Sequence, residues 1–270
     1  MKRFHREMHY EYMILVSCRK NFDSDRVFAD ANKVEGMTDA ELASKVKDKH
    51  IVILIHGYRS ALTGVRAAYN VIETGLASEG LMSASNYSEV IGFAWPSFRT
   101  RISFPAAVGY ANNASEYFYD LMKLLSQAKS IDVQTHSLGA RVAFQGLTAQ
   151  TDVKVDNLML TAPAVDNECI EPRQEFNEVL SRTKRCYVLH SKKDAVLKLY
   201  TFMSLDRALG KNGPQHPDIV RDRCPNVYTV DCQRVVKTDH SGYRKTPVYY
   251  AFWKKVLEAP TSIPRLSTWE

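Results

Sequence analysis

The stretch Ile131-Asp132-Val133-Gln134-Thr135-His136-Ser137-Leu138-Gly139-Ala140-Arg141 decides the fold. It reads as a strand over 131–135, a sharp turn with Ser137 at its apex, and the start of a helix over 138–149. The usual pattern for a serine held on such a turn is GxSxG, small residues being needed where backbone and helix approach closely. Here Gly139 is kept and Thr135 stands in the first glycine's place, which a β-branched residue at a strand end can fill. A serine N-cap of the helix fits the same residues, so the pentapeptide alone leaves two readings open.

Outward from this stretch, short apolar runs alternate with longer amphipathic ones. Strands are expected at 10–17, 51–55, 90–95, 158–162, 185–190 and 227–230, and helices at 39–47, 61–78, 106–128, 174–182, 195–208 and 247–258. Thr38 and Glu41 fit a capping box for the first helix. Several strands are apolar throughout, as strands buried on both faces must be. Strand–helix alternation predicts a mostly parallel sheet with helices on both faces, within one domain whose core spans about 10–258. Residues 19–37 leave room for an edge strand. The 210–225 run, with Gly213, Pro214, Pro217 and Pro225, reads as a loop, and the tail after Ala259 as irregular and surface-bound.

The ligand chemistry of such a sheet gathers at the carboxyl ends of its strands. Ile51–Ile55 runs into His56-Gly57-Tyr58, where Gly57 lets the backbone approach a substrate and the Tyr58 N–H points into the site. That N–H and the Leu138 N–H form the expected oxyanion hole. His56 reads as a support bonded to backbone rather than as a reacting group. An acid and a histidine must follow the serine in chain order. Asp194 follows the 185–190 strand and His240 the 227–230 strand; Asp166, after the 158–162 strand, is the rival acid. Asp194 also fits an N-cap of the helix that follows it. His5, His9, His50, His190 and His216 lack such a setting, His50 reading as a turn residue. Trp95 reads as a core side chain, with Phe98 and Phe104 as an alternative apolar lip to the pocket.

These blocks in order, HGYRS (56–60), FAWPS (93–97), THSLGAR (135–141), SKKDAVL (191–197) and the late His240, resemble the α/β-hydrolase superfamily. More narrowly they are similar to a poorly characterised bacterial family of serine hydrolases, over roughly residues 50–245. The resemblance implies a three-layer α/β-hydrolase fold and a serine-dependent hydrolase of carboxylic esters or thioesters. Ser137 would be its nucleophile, Asp194 its acid and His240 its base. The family tends to place an Asp directly after the Ala-Pro of the sixth strand, whereas Ala164 follows Ala162-Pro163 here. An acyltransferase would use the same triad, and a non-catalytic binding protein of this fold would be expected to lack one of its members. The insert from Pro163 to Arg173 is far below the ~40 residues an independent unit needs, so no large cap is expected and the site should be fairly open.

Composition bounds the rest. Of 270 residues, 45% are hydrophobic and 24% charged, which excludes a disordered or collagen-like chain. The net charge of +6 is mild and dispersed, so no nucleic-acid partner is expected. No run approaches the ~18 apolar residues of a membrane span, and the basic N-terminus is a poor signal peptide. Five scattered cysteines suit reduced, buried thiols and a cytoplasmic protein. No metal-ligand spacing or phosphate-binding glycine motif occurs, so neither a metal nor another cofactor is expected; the partner is a small-molecule or acylated substrate.

Overall fold

Ile51–Ile55 are all buried, and five such side chains contribute about 1.5–3 kcal/mol each from removing apolar surface from water. They lie in β3 (His50–Ile55), near the middle of one nine-stranded sheet. The computed structural model describes residues 13–98, 103–149, 153–204 and 206–270, with the side chains of 201–204 left aside. The expected strand start at 10–12, His5, His9 and the N-terminal leader reading lie outside the described residues.

The other strands are β1 (Ile14–Arg19), β2 (Phe28–Val34), β4 (Glu89–Ala94), β5 (Ser130–His136), β6 (Val155–Thr161), β7 (Thr183–His190), β8 (Val227–Asp231) and β9 (Leu266–Thr268). Their order is β2-β1-β4-β3-β5-β6-β7-β8-β9. Among the strands of the described residues, only the β1–β2 pair is antiparallel. Parallel neighbours require crossovers, and helices supply them. These are α1 (Asp39–Val46), α2 (Leu62–Ser78), α3 (Phe104–Leu124), α4 (Gly139–Ala149), α5 (Ala195–Ser204), α6 (Leu209–Asn212), α7 (Pro217–Arg223) and α8 (Pro247–Glu258). α3 packs on α4, and α2 on α8, so two helical layers enclose the sheet. The Thr38–Glu41 capping box opens α1 with both reciprocal bonds in place.

Six expectations are corrected. The 210–225 run is mostly helical: Pro217 opens α7, because proline fits a first helical turn whose N–H needs no partner. The 174–182 helix is a 3₁₀ turn over Asn177–Arg182. α5 ends at Ser204, short of 208. The tail is not irregular, since β9 extends the sheet and Trp269 is buried. The 106–128 helix ends at Leu124, and His50 opens β3 rather than a turn. Residues 162–182 bury Cys169, Ile170, Phe176 and Val179 in the common core, so they form no separate cap. All five cysteines are buried and free.

A buried polar chain ties the sheet to α8. Trp253 Nε1–H donates to Tyr87 Oη (2.8 Å), whose hydroxyl donates to Asp132 Oδ2 (2.5 Å). Asn157 donates to the same carboxylate from its backbone (2.9 Å) and side chain (3.0 Å). Burial nevertheless pushes the Asp132 carboxyl up to about 6.

Candidate active site

β5 ends at His136 and α4 begins at Gly139, leaving Ser137 and Leu138 to make the turn. Ser137 has φ +56°, the left-handed region that costs an ordinary residue roughly 1–2 kcal/mol. Its backbone is pinned on both sides: Ser137 N–H donates to Thr161 O (3.0 Å), and Ala164 N–H donates to Ser137 O (3.1 Å). A Cβ on Gly139 would lie 2.6 Å from His56 O and 2.8 Å from Ile55 O. A Cβ on Gly57 would lie 2.8 Å from Ser137 Cβ. The two glycines therefore let the end of β3 and the serine turn touch backbone to backbone. Thr135, in the other glycine's place, lies within β5, paired with Ile55 and Leu160 and buried, so no close approach excludes its side chain.

His56 is bound into the protein by both ring nitrogens. Trp95 N–H donates to Nε2 (3.1 Å), so the ring proton sits on Nδ1, which donates to Gly57 O (2.8 Å). The Trp95 indole stacks on the imidazole at 5.4 Å and donates from Nε1 to His56 O (2.8 Å). The Arg19 guanidinium lies 3.3 Å from Nε2 and donates to Trp95 O (2.9 Å) and Ser60 O (2.8 Å). Burial first, and Arg19 second, hold the His56 pKa well below its ordinary value, so the ring is neutral. It braces the loop that carries the Tyr58 N–H.

The remaining groups come from loops after β7 and β8. Asp194 is buried and uses both oxygens. Oδ1 accepts from Val196 N–H (2.9 Å) and Leu197 N–H (2.8 Å), which caps α5. Oδ2 lies 2.8 Å from His240 Nδ1. The cap reading and the acid reading thus describe the same side chain. The His240 loop is tied to the Asp194 loop by Ser191 Oγ–H donating to Lys237 O (2.8 Å) and Ala195 N–H donating to Thr238 O (3.3 Å). Asp166 is engaged elsewhere, accepting from the Tyr200 hydroxyl (2.7 Å).

Ser137 and His240 share the wall of one cavity of about 590 Å³, with Tyr58 and Gly57. That volume is within the range of small-molecule sites. Sequence reasoning overlooked three further residues there. His136 Nε2–H donates to His240 O (3.0 Å), with the two rings 4.7 Å apart. Burial, then the neighbouring His240 and Arg244, hold the His136 pKa well below its ordinary value. Tyr243 and Arg244 complete that side of the wall. The one signal for His136 was its place beside the turn serine. Phe98 and Phe104 do not form the expected lip: Phe98 packs edge-on against Tyr110 (4.4 Å) and Phe104 against Tyr200 (4.9 Å), away from the cavity. Trp95 is fully buried, as a core side chain. Among the described residues, no group of three or more His, Cys, Asp and Glu side chains is placed to hold a metal ion.

Residues 34–248 match the family model described as "Alpha/beta hydrolase of unknown function (DUF900)". The chain belongs to this family. No curated protein matches it. Among solved structures it is similar to an uncharacterized protein from Bacillus cereus ATCC 10987, at 15% identity and a TM-score of 0.41, over 70% of this chain and 57% of that one. It therefore spans little more than half the length of that Bacillus protein. The Pyrococcus furiosus esterase Pf2001 is similar at 17% identity and a TM-score of 0.43, over 80% of this α/β hydrolase and 84% of that chain. A lipase-esterase related protein from Clostridium acetobutylicum ATCC 824 is similar at 9% identity and a TM-score of 0.36, over 95% and 89%. No helix among the described residues of this hydrolase is long and apolar enough to cross a membrane.

Proposed function

We propose that this α/β hydrolase cleaves carboxylic esters or thioesters through Ser137, His240 and Asp194, in the cytoplasm and without a cofactor. The observation that carries the reading is the 2.8 Å contact between Asp194 Oδ2 and His240 Nδ1, with Ser137 on its strained turn in the same cavity. His240 Nε2 accepts the hydroxyl proton as Ser137 Oγ attacks the acyl carbonyl, and Asp194 steadies the imidazolium. The N–H groups of Tyr58 and Leu138 hold the oxyanion, a role worth roughly 3–4 kcal/mol per donor in such sites. The imidazolium proton passes to the departing alcohol or thiol as the carbonyl–heteroatom bond breaks. Water then adds to the acyl-enzyme, giving its proton to His240, and the acid leaves as Ser137 regains its proton.

The test is labelling with a fluorophosphonate followed by peptide mapping. Covalent phosphonylation of Ser137 is expected, abolished in Ser137→Ala and accompanied by loss of hydrolysis of a short p-nitrophenyl ester. Label on another residue, or a Ser137→Ala protein within tenfold of wild-type activity, would overturn the mechanism. An acyltransferase would show itself by an added alcohol raising ester formation above hydrolysis.

A further inference from the structure

We propose that the cavity binds a substrate carrying a free carboxylate, with Arg244 as the side chain that grips it; this deepens the ester-hydrolase reading and rests on it. Arg244 lies in the 3₁₀ turn Tyr243–Lys245, only partly exposed, and lines the cavity that holds Ser137 and His240. Its guanidinium makes no hydrogen bond and no ion pair among the described residues. Asp239, whose charge acts on Arg244, has its oxygens bonded elsewhere: Oδ2 accepts from Lys245 Nζ (2.7 Å) and Oδ1 from Ser241 N–H (3.0 Å). Burial presses the Arg244 pKa down, and the Asp239 charge offsets that only in part.

Tyr243 lines the same wall, with its hydroxyl shut away from solvent inside the protein. The cavity's charge has one sign: no Asp or Glu is among its described lining residues, and Arg59 adds a second cation at an exposed position. A guanidinium offers a planar fork that matches the two oxygens of a carboxylate. Val65, Ala68 and Ile72 give the cavity apolar lining as well, which suits a short hydrocarbon chain between the ester and the carboxylate. The ligand class is therefore a half-ester of a small dicarboxylic acid.

The experiment compares kcat/KM for the p-nitrophenyl half-ester of glutaric acid and for p-nitrophenyl valerate, its neutral analogue. Wild type is expected to favour the anion, and Arg244→Gln to reduce the ratio at least about tenfold, the scale of one charge-assisted pair. Taking the ratio cancels any general loss of catalysis. Should Arg244→Gln fail to fold, Arg244→Lys keeps the charge without the fork and is expected to lower the ratio by a smaller factor. A wild-type ratio at or below one, or a ratio unmoved by substitution, would overturn the proposal. Calorimetry on Ser137→Ala separates this from the catalytic reading. Monomethyl glutarate is expected to bind and dimethyl glutarate not, with the difference lost when Arg244→Gln is added. Binding of that pattern, with the wild-type protein hydrolysing neither ester, sustains the anion site and removes the ester-hydrolase reading. Equal binding of both esters, or of neither, removes the anion site.

Discussion

The two halves of the candidate site are built by different means. On the β3–β5 side, backbone meets backbone: Gly57 and Gly139 have no room for even a methyl group, and their neighbours are carbonyl oxygens and the serine itself. On the β7–β8 side, loops are joined by side-chain hydrogen bonds, with Asp194 shared between a helix end and His240. The first half is fixed by exclusion of volume, which tolerates almost no change. The second is fixed by directed bonds, in which a group can be altered chemically without altering its shape. Stability and activity should therefore separate in one half and move together in the other.

The largest effect expected is that of Asp194→Asn. Asparagine caps a helix about as well as aspartate, so α5 should stay and the melting temperature should hardly move. The ring of His240 loses its charged partner and its fixed tautomer, and kcat should fall by about 10⁴. Asp166→Asn is expected to leave kcat within a few-fold, since Asp166 is bonded to Tyr200. Steady-state kinetics with a parallel thermal melt decides the matter; the reverse ranking would move the acid to the end of β6.

Gly139→Ala should break the contrast from the other side. Its new methyl meets the backbone carbonyls of Ile55 and His56, both at the end of β3, which cannot turn aside. A cost of about 1–3 kcal/mol of stability is expected, with activity falling alongside as the serine turn is pushed away from the Tyr58 loop. Denaturant unfolding and kcat on the same preparation test it, and loss of one quantity without the other would count against a volume-limited junction.

The smallest effect lies in pH. His56 and His136 have folded pKa values held below the unfolded value of about 6.5, so below that pH the unfolded chain binds more protons than the folded one. Stability from these rings is present above the unfolded pKa and lost as pH falls, by up to about 1.4 kcal/mol per unit for each ring. Asp132 acts in the opposite sense. Its folded pKa of about 6 lies above the ordinary carboxylate value, so its contribution grows as pH falls from about 6 to 4. Urea unfolding between pH 7.5 and 6 should therefore show falling stability, and His136→Gln should flatten that slope. An unchanged slope would mean that His136 takes a proton in the folded state.

What the sequence made legible follows the same division. Apolar runs such as Ile51–Ile55 and Val90–Ala94 announce central strands because both their faces are buried. The glycines beside Ser137 and His56 announce close approach, and the chain order of Ser137, Asp194 and His240 announces a candidate constellation. Short edge strands carry no such signal: β9 has three residues, with two of them exposed. Pro217 misled because proline both breaks helices and begins them. Arg19, His136 and Arg244 stayed hidden for a different reason. Their roles depend on partners 37 or 104 residues away, or on the absence of one, and apart from the place of His136 beside the turn serine no local pattern records either.

Arg19 has a consequence in time as well as in space. It grips the His56 loop and precedes Ser137 in the chain, while His240 and Arg244 follow it. Strands β1, β3, β4, β5 and β6, which carry and pin the Ser137 turn, all precede the β8 loop in the chain, so that turn can form before His240 is in place. If Ser137 is the nucleophile proposed above, it meets its base only when the His240 loop docks on the Asp194 loop.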